Sequence, residues 1–557
     1  MPELKIKLMP STEKCFLDDD IAKKQSLSEI SMLKNERLSF QLAYILDGTP
    51  SPNHKYCNIK IDSPLADKIS AFKVESVPVT MPTLAGCTDT DYLRMTPGLY
   101  PDLLTPLNMV LPLPIPGAGR LHALLFTVED VNGIAAGEYP VTVSLTYTLA
   151  AGAEPVTVSE TLNVTVIDAM LPEQELIHTQ WFHNDCIATY YGCEIFSERH
   201  WELIGNYMEA AARCGINMIL TPVLTPPLDT GVGHERPTVQ LVDVTLSDGK
   251  YSFSYEKLDR YIKLALSKGM KYFEISHLFS QWGAKFAPKV MATVDGEYKR
   301  IFGWDTSGTC EEYRTFVRAF VAALTEHLRS LGVLDKCSFH ISDEPNEADL
   351  EGYATAKNTV ADLLEGVTIM DALSDYRFYE AGVVPFPIPC TTKIEPFLEN
   401  NVPDLWTYYC IGQHTDVSNR FLAMPGQRTR VLGSQLFKYN IKGFLQWAFN
   451  FWYSQYSYHP VNPFSDTCGD YFSPAGDTFS VYPGPDGKAL YSLHALHFYE
   501  ALQDLRALRL LETKIGHDAV VALIEEDCAE PMTFRSYPRS QEYLLSLRER
   551  INAAIAL

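Results

Sequence analysis

Up to about residue 169 the apolar positions recur every second residue in short runs. RLSFQLAYIL (37–46), YCNIKID (56–62), AFKVESVPVT (71–80), ALLFTVED (123–130), YPVTVSLTYTL (139–149) and ETLNVTVID (160–168) are separated by turn residues such as the Gly-Ala-Gly-Arg of 117–120. That period belongs to strands with one face in a core and one in water, and it predicts an N-terminal β-sandwich domain over residues 1–169. After Met170-Leu171-Pro172 the rhythm changes to short apolar runs, several of which lead into an amphipathic stretch such as ERHWELIGNYMEAAARCG or EEYRTFVRAFVAALTEHLRSLG. The strand candidates are HTQWFH (178–183), INMILTP (216–222), KYFEIS (271–276), CSFHIS (337–342), VTIMDAL (367–373), LWTYYC (405–410), RVLGSQ (430–435) and GFLQWAF (443–449). Eight strand-then-helix units predict a (β/α) eight-stranded TIM-type barrel over residues 170–510, with its active site at the C-terminal ends of the strands. Residues 511–557 read as an ancillary helical segment. The expected fold class is multidomain, β followed by α/β.

Length agrees with this division, since 557 residues are too many for one core. The net charge of −23 argues against nucleic acid or an anionic membrane surface as partner, and no stretch is long and apolar enough for membrane insertion. The N-terminal MPELKIKLMPSTEK has no apolar leader core, so the expected location is cytoplasmic, or secreted if a signal peptide has been removed. Twelve cysteines without a CxxC pair fit buried thiols better than a zinc site or a disulfide framework. Neither a metal nor a cofactor is expected.

The candidate chemistry begins at CSFHISDEPN (337–346), where two adjacent acids, Asp343 and Glu344, end the fourth strand candidate. Like charges at that spacing repel, and burial adds to the cost. Pro345 is expected to restrain Glu344 to extended backbone angles. A bland alternative makes one of the acids the cap of the next helix, with Pro345 in its first turn. The other strand ends weigh against it. They carry His178, Trp181, His183 and Asp185 (first), His277, Gln281 and Trp282 (third), Tyr408 and Tyr409 (sixth), and Trp447, Asn450 and Trp452 (eighth). Acids ringed by indoles, phenols and amides make a sugar-binding pocket, with flat rings for pyranose faces and polar groups for hydroxyls.

The segments HTQWFHND, SHLFSQWGAKFAPK, FHISDEP, LWTYYC, GFLQWAFNFWYS and DTFSVYPGPDG, with GLYPDLL at 98–104, resemble the pattern of glycoside hydrolase family 123. That resemblance implies an exo-acting, retaining β-N-acetylgalactosaminidase acting on glycans with terminal β-linked N-acetylgalactosamine. It also implies substrate-assisted catalysis, in which the sugar's own 2-acetamido oxygen attacks the anomeric carbon. Asp343 would stay ionised and orient the acetamido group. Glu344, its pKa raised by its neighbour, would be the general acid and then the base. A tyrosine hydroxyl would donate to the acetamido oxygen, and alternation along the strand lets one of Tyr408 and Tyr409 face inward. Trp447 would stack on the sugar, with Trp282 and Trp181 as further walls. His277, Gln281, His183, Asp185 and Asn450 complete the expected substrate-binding set. The chain departs from the family pattern after the last strand, where SLHALHFYEALQDL, with His494 and His497, stands in place of an arginine-rich segment.

Three rival readings remain. A metal-dependent hydrolase would collect His178, His183, Asp185 and His277, but the five-residue step from His178 to His183 puts those two on opposite strand faces. A non-catalytic carbohydrate-binding protein on the same barrel would not need both acids. A hydrolase of another β-hexosaminide, such as β-N-acetylglucosaminide, would differ only in the sugar.

Overall fold

The computed structural model describes residues 3–48, 55–115, 117, 119–148, 152–345 and 347–557. Leu149 of the 139–149 run and Ala118 of the 117–120 turn lie outside the described residues. The N-terminal region forms two sheets. A seven-stranded sheet runs in the order Glu3–Pro10, Leu38–Asp47, His122–Val128, Ile69–Val79, Gly98–Pro106, Ala489–Ser492, Tyr482–Pro483. A five-stranded sheet runs Glu29–Lys34, Val156–Met170, Gly137–Tyr147, Tyr56–Asp62, Leu113–Pro114. Phe40, Leu42 and Phe126 of the first share one core with Val143, Leu145 and Val164 of the second. Burying each such side chain contributes about 1.5–3 kcal/mol. Along Gly137–Tyr147 the alternation is direct: Val141, Val143 and Leu145 are buried, and Thr142, Ser144 and Thr146 bond across to Thr161, Ser159 and Thr157 at 2.8 Å each.

The second region is a parallel sheet of eight short strands, nearly closed on itself. In chain order these are Ile177–Gln180, Met218–Thr221, Tyr272–Ile275, Cys337–Phe339, Thr368–Ala372, Phe386–Ile388, Trp406–Tyr408 and Gly443–Gln446. The eighth pairs with the first from Ile177↔Gly443 to Gln180↔Gln446, while the sixth and seventh meet through a single bridge, Cys390↔Tyr408. Gly443 is required where the last two strands meet, because a Cβ there would fall 2.0 Å from the Trp406 ring. Two of the expected strands need correction. RVLGSQ is helical, split between Gly426–Arg430 and Leu432–Lys438, and LWTYYC supplies the seventh strand rather than the sixth. The true sixth strand, Phe386–Ile388, lies in a run carrying Pro385, Pro387 and Pro389. The intervening helices are unequal, 20 residues after the third strand but five after the fifth and after the sixth.

The two regions are pinned together by buried charge. Asp102, from the GLYPDLL stretch, accepts from His494 Nδ1 at 2.8 Å and from the Tyr482 hydroxyl at 2.7 Å. His494 therefore serves the junction, and His497 reaches Ser11 O at 2.9 Å. The last helix, Gln541–Ala556, adds a second pin. Arg548 bonds Glu36 of the sandwich at 2.8 Å and Asp504 of the long Leu493–Ile515 helix at 2.7 Å, all three side chains buried. Burial pushes the Glu36 carboxyl up even with Arg548 beside it. Arg548→Ala would leave that carboxyl in the interior without its partner. The expected cost is about 3–5 kcal/mol, read as a lower urea midpoint of the first unfolding transition; a change under about 1 kcal/mol, the level of an exposed pair, would contradict the pin.

Candidate active site

Inside the barrel, where most side chains are apolar, three strand ends supply a charged chain. Glu274 (third strand) accepts from Trp181 Nε1 at 2.7 Å and from Thr179 Oγ1 at 2.5 Å. His340, just past the fourth strand, holds Glu274 on one ring nitrogen at 2.7 Å and Asp371 of the fifth strand on the other at 2.9 Å. The Tyr353 hydroxyl also donates to Asp371. Burial works against a charge on His340, but its hydrogen bonds to Asp371 and Glu274 win and raise it to about 10. At neutral pH it is an imidazolium.

Three residues further on, the acid pair leaves the barrel. Neither acid caps a helix: the next α-helix, Leu350–Asn358, starts after Asp349. Asp343 is half-buried and Glu344 is exposed. Glu344 has φ +40°, not the extended backbone expected before Pro345. Proline's ring disfavours the right-handed helical region in the residue before it, and Glu344 avoids that clash on the positive side of φ. Such strain in a non-glycine residue persists only where its surroundings fix it. Here Ser342 Oγ accepts from Ala284 N at 3.1 Å and donates to Ser280 O at 2.8 Å, while Trp282 N donates to Asp343 O at 2.9 Å.

Tyr408 closes the arrangement by donating to Glu344 Oε1 at 2.5 Å. Tyr409 points the other way, fully buried against Phe444 and Phe498 behind the barrel. The inward tyrosine is thus Tyr408. In this unliganded structure its partner is Glu344. The strongly displaced acid is Asp343: burial, then the charges of Glu344 and Asp229, push it well above the carboxylate range. The sequence reading expected Asp343 to stay ionised, which its burial opposes in the free protein.

The other expected residues are largely spent on one another. Asp185 forms a buried bidentate pair with Arg236 at 2.7 and 2.8 Å, and Arg236 also meets His183 Nδ1 at 3.0 Å. Burial, then the Arg236 charge, hold His183 down at about 3. Asn450 clasps the His183 backbone through N at 2.9 Å and O at 3.1 Å. Gln281 accepts from Asp229 N at 2.7 Å and donates to Thr230 O at 3.1 Å, bracing the loop after the second strand. Trp181 is buried on Glu274, whereas Trp282 is 37% exposed at the mouth. Trp447 is buried but for 8% and lies beside Asp477.

His277 is fully buried, its ring stacked on His340 at 4.2 Å, with neither nitrogen hydrogen-bonded among the described residues. Burial, then the His340 charge, hold it neutral. His277, His340 and Asp371 are the metal-capable donors that lie within 4.8 Å of one another among the described residues. Both His340 nitrogens already face carboxylates. His178 bonds Gly215 O at 3.0 Å and stacks on Phe498, away from that group.

Sequence reasoning missed Asp229, Glu274, His340, Asp371 and Asp477. Asp229, at φ +47°, has a buried carboxyl oxygen without a hydrogen-bond partner among the described residues; burial raises it, Arg236 opposes, and Glu344 and Asp477 add to bring it to about 7. A lone acid in TPPLDTGVGHERP gave no signal. His340, three positions before Asp343 in FHISDEP, was the one legible clue.

A family model described as the glycoside hydrolase 123 catalytic domain matches residues 181–511, more than half of the chain. The chain belongs to glycoside hydrolase family 123. It is accordingly a glycosidase acting on glycans, and none of its described helices is long and apolar enough to cross a membrane. It is similar in fold to a family 123 glycoside hydrolase from Clostridium perfringens, analysed for glycolipid glycan hydrolysis, with 16% identity, 99% of this chain and 98% of that chain covered, and a TM-score of 0.73. Other solved structures are more remote. A Parabacteroides merdae β-glucuronidase with glycerol in its active site shares 10% identity over 90% of this chain and 51% of its own, TM-score 0.30. An endo-β-1,4-mannanase from Thermotoga petrophila shares 12% over 61% and 78%, TM-score 0.33. No curated protein matches.

The displaced Asp343 sets a stability trend in this family 123 enzyme. Its folded form holds a proton that the unfolded chain releases near the usual value of 3.8, so its contribution is intact below about pH 4 and is lost as pH rises toward its folded value. Asp343→Asn mimics the protonated form. The variant is expected to melt a few degrees higher than wild type near pH 7 and equally at pH 3.5; an equal or lower melting temperature near pH 7 would contradict the displacement.

Proposed function

We propose that the protein is an exo-acting, retaining β-N-acetylgalactosaminidase in which the 2-acetamido group of the substrate is the nucleophile. The observation that carries this reading is the adjacency of Asp343 and Glu344 in unlike surroundings, one half-buried and one exposed with Tyr408 on it. Two enzyme carboxylates that divide the retaining reaction lie on opposite flanks of the sugar, about 5–5.5 Å apart. Consecutive residues on one strand end suit a sugar that brings its own attacking atom.

The steps balance as follows. The acetamido oxygen attacks C1 while the glycosidic C–O bond breaks and the leaving oxygen takes the Glu344 proton. Asp343, as carboxylate, accepts the acetamido N–H and faces the positive oxazolinium as it forms. In the free protein Asp343 lacks that counter-charge, so the ionised carboxylate is costly at rest and relieved as positive charge develops. Water then attacks C1 from the vacated side, Glu344 takes its proton, and the acetamido group is restored. Tyr408 fixes one Glu344 oxygen and leaves the other for the proton. The C. perfringens relative's glycolipid glycans favour an oligosaccharide headgroup as the substrate class.

Aryl β-N-acetylgalactosaminide is expected to be hydrolysed and aryl β-galactoside not, since the latter lacks the internal nucleophile; equal rates on the pair would remove substrate assistance. An aryl β-N-acetylglucosaminide turned over as fast would widen the activity to β-hexosaminides. Glu344→Gln is expected to lose about 10²–10⁴-fold on unactivated linkages, the scale of general acid catalysis. It should keep the first step on dinitrophenyl glycosides, whose leaving group needs no proton. Should both substrate types suffer alike, Glu344 is not the acid.

A further inference from the structure

The inner face of the seven-stranded sheet changes character at one end. On Leu38–Asp47 and His122–Val128 the side chains turned toward the second sheet include Phe40, Leu42, Leu124 and Phe126, and on Ile69–Val79 they begin with Ile69 and Ala71, all part of the sandwich core. Where the alternation continues past that core, the same faces carry His122, Lys73 and then Glu75. Tyr44 pairs with His122 across the sheet, the two rings 5.9 Å apart. These four side chains line a cavity of about 500 Å³, walled as well by Leu99 and Leu113. No barrel residue is among its walls. Among the described residues none of the four polar side chains has a hydrogen-bond or ion-pair partner. For Tyr44 this is unusual, because only 5% of it is exposed and a hydroxyl so far buried is normally bonded. The open cavity is the place left for that partner.

We propose that this cavity is a second glycan site, separate from the acid pair, that holds a neutral sugar residue. Lys73 and Glu75 stand two positions apart on one strand, so their charges cancel. A charged ligand loses to one of them what it gains from the other. A polyhydroxylated neutral ligand uses both, accepting from Lys73 and donating to Glu75, while the Tyr44 hydroxyl serves in either direction. Burial, then Arg120, hold His122 below the usual imidazole value against the pull of Glu75. A neutral imidazole adds one donor and one acceptor. Leu99, 50% exposed, supplies an apolar patch for a sugar ring, and the volume lies within the range of small-ligand sites. Leu99 belongs to GLYPDLL, whose Asp102 fastens the sandwich to the barrel, so the site is held by the same strand that makes the junction. A glycosidase acts on chains longer than the bond it breaks, and a site that holds the chain elsewhere raises the local concentration of its end at the barrel mouth. The proposal rests on the family's action on glycans and not on the roles given to Asp343 and Glu344.

The test reads Lys73 directly. The full-length protein is acetylated with an N-hydroxysuccinimide ester of acetate, with and without lactose, and its peptides are followed by mass spectrometry. Lactose is expected to slow modification of Lys73 and to leave that of Lys60, exposed on the outer face of the other sheet, unchanged. Glu75→Gln and His122→Ala are each expected to weaken lactose about tenfold, the scale of one lost hydrogen bond, read from the concentration dependence of the protection. Glu75 is exposed, so its variant keeps the test open even where His122→Ala does not fold. No protection of Lys73 at any lactose concentration overturns the site, as does protection that Glu75→Gln leaves unmoved. Glucuronate or glucosamine protecting Lys73 as well as lactose does overturns the neutral sugar. Asp343→Ala is expected to keep the protection in full, and its loss there would mean that lactose acts from the acid pair. Since nothing has to be turned over, absence of β-N-acetylgalactosaminidase activity sinks the proposed function and leaves this result standing.

Discussion

One buried cation organises the catalytic end of this molecule. His340, with a carboxylate on each ring nitrogen and no solvent exposure, ties the third, fourth and fifth strands together through Glu274 and Asp371, and Glu274 extends the tie to the first through Thr179 and Trp181. A charge in a dry interior is tolerated only when partnered and hydrogen-bonded. Here each partner fixes the next. Strands of three to five residues have few ladder bonds of their own, so the polar chain across them does much to set how the barrel's mouth is spaced.

The same cation lies beneath Asp343 and is the main influence pulling that carboxyl back toward ionisation, against burial, Glu344, Asp229 and Asp371. The mouth is therefore an acid-rich site held short of charge balance. Its other interior cations are committed elsewhere, Arg236 to Asp185 and Arg420 to Gln180, Ser480 and two backbone carbonyls. A ligand that brings an N–H donor and develops positive charge would supply what this acid-rich site lacks. On the proposed mechanism, that is the electrostatic sense in which the site would be prepared for a transition state rather than for its own resting stability.

How much of this the sequence disclosed depended on the range of the interaction. Alternation and apolar runs report burial of single residues, so the sandwich strands and seven of the eight barrel strands were legible. Phe386–Ile388 was hidden because its prolines read as loop, and RVLGSQ looked like a strand because helices Gly426–Arg430 and Leu432–Lys438 are buried nearly all round and so lack an amphipathic stripe. Asp343 and Glu344 stood out because two adjacent acids at a strand end are locally costly. Nothing local distinguishes Tyr408 from Tyr409, and only strand direction sends one to Glu344 and the other to Phe444. Asp185, His183, Gln281 and Asn450 were singled out as polar groups at strand ends. Their partners, Arg236, Trp447 and Asp229, lie between about 50 and 270 positions away, and no periodicity reports such pairings.

Glu344's positive φ connects the backbone to the chemistry. Two like acids that are neighbours in sequence share a field, and in a uniform medium they would titrate as a pair with no division of roles. Division requires that their surroundings differ. The turn at Glu344 provides this by letting Asp343 stay against the barrel interior, over His340, while Glu344 swings out to Tyr408 and solvent. The strain of that turn is held by the Ser342 and Trp282 hydrogen bonds to the neighbouring loop. A carboxyl in a poorly solvated place and one in a wet place no longer titrate as equivalents; in the free protein burial favours the protonated form of Asp343, so the carboxylate role proposed for it depends on the positive charge that a reacting sugar would bring.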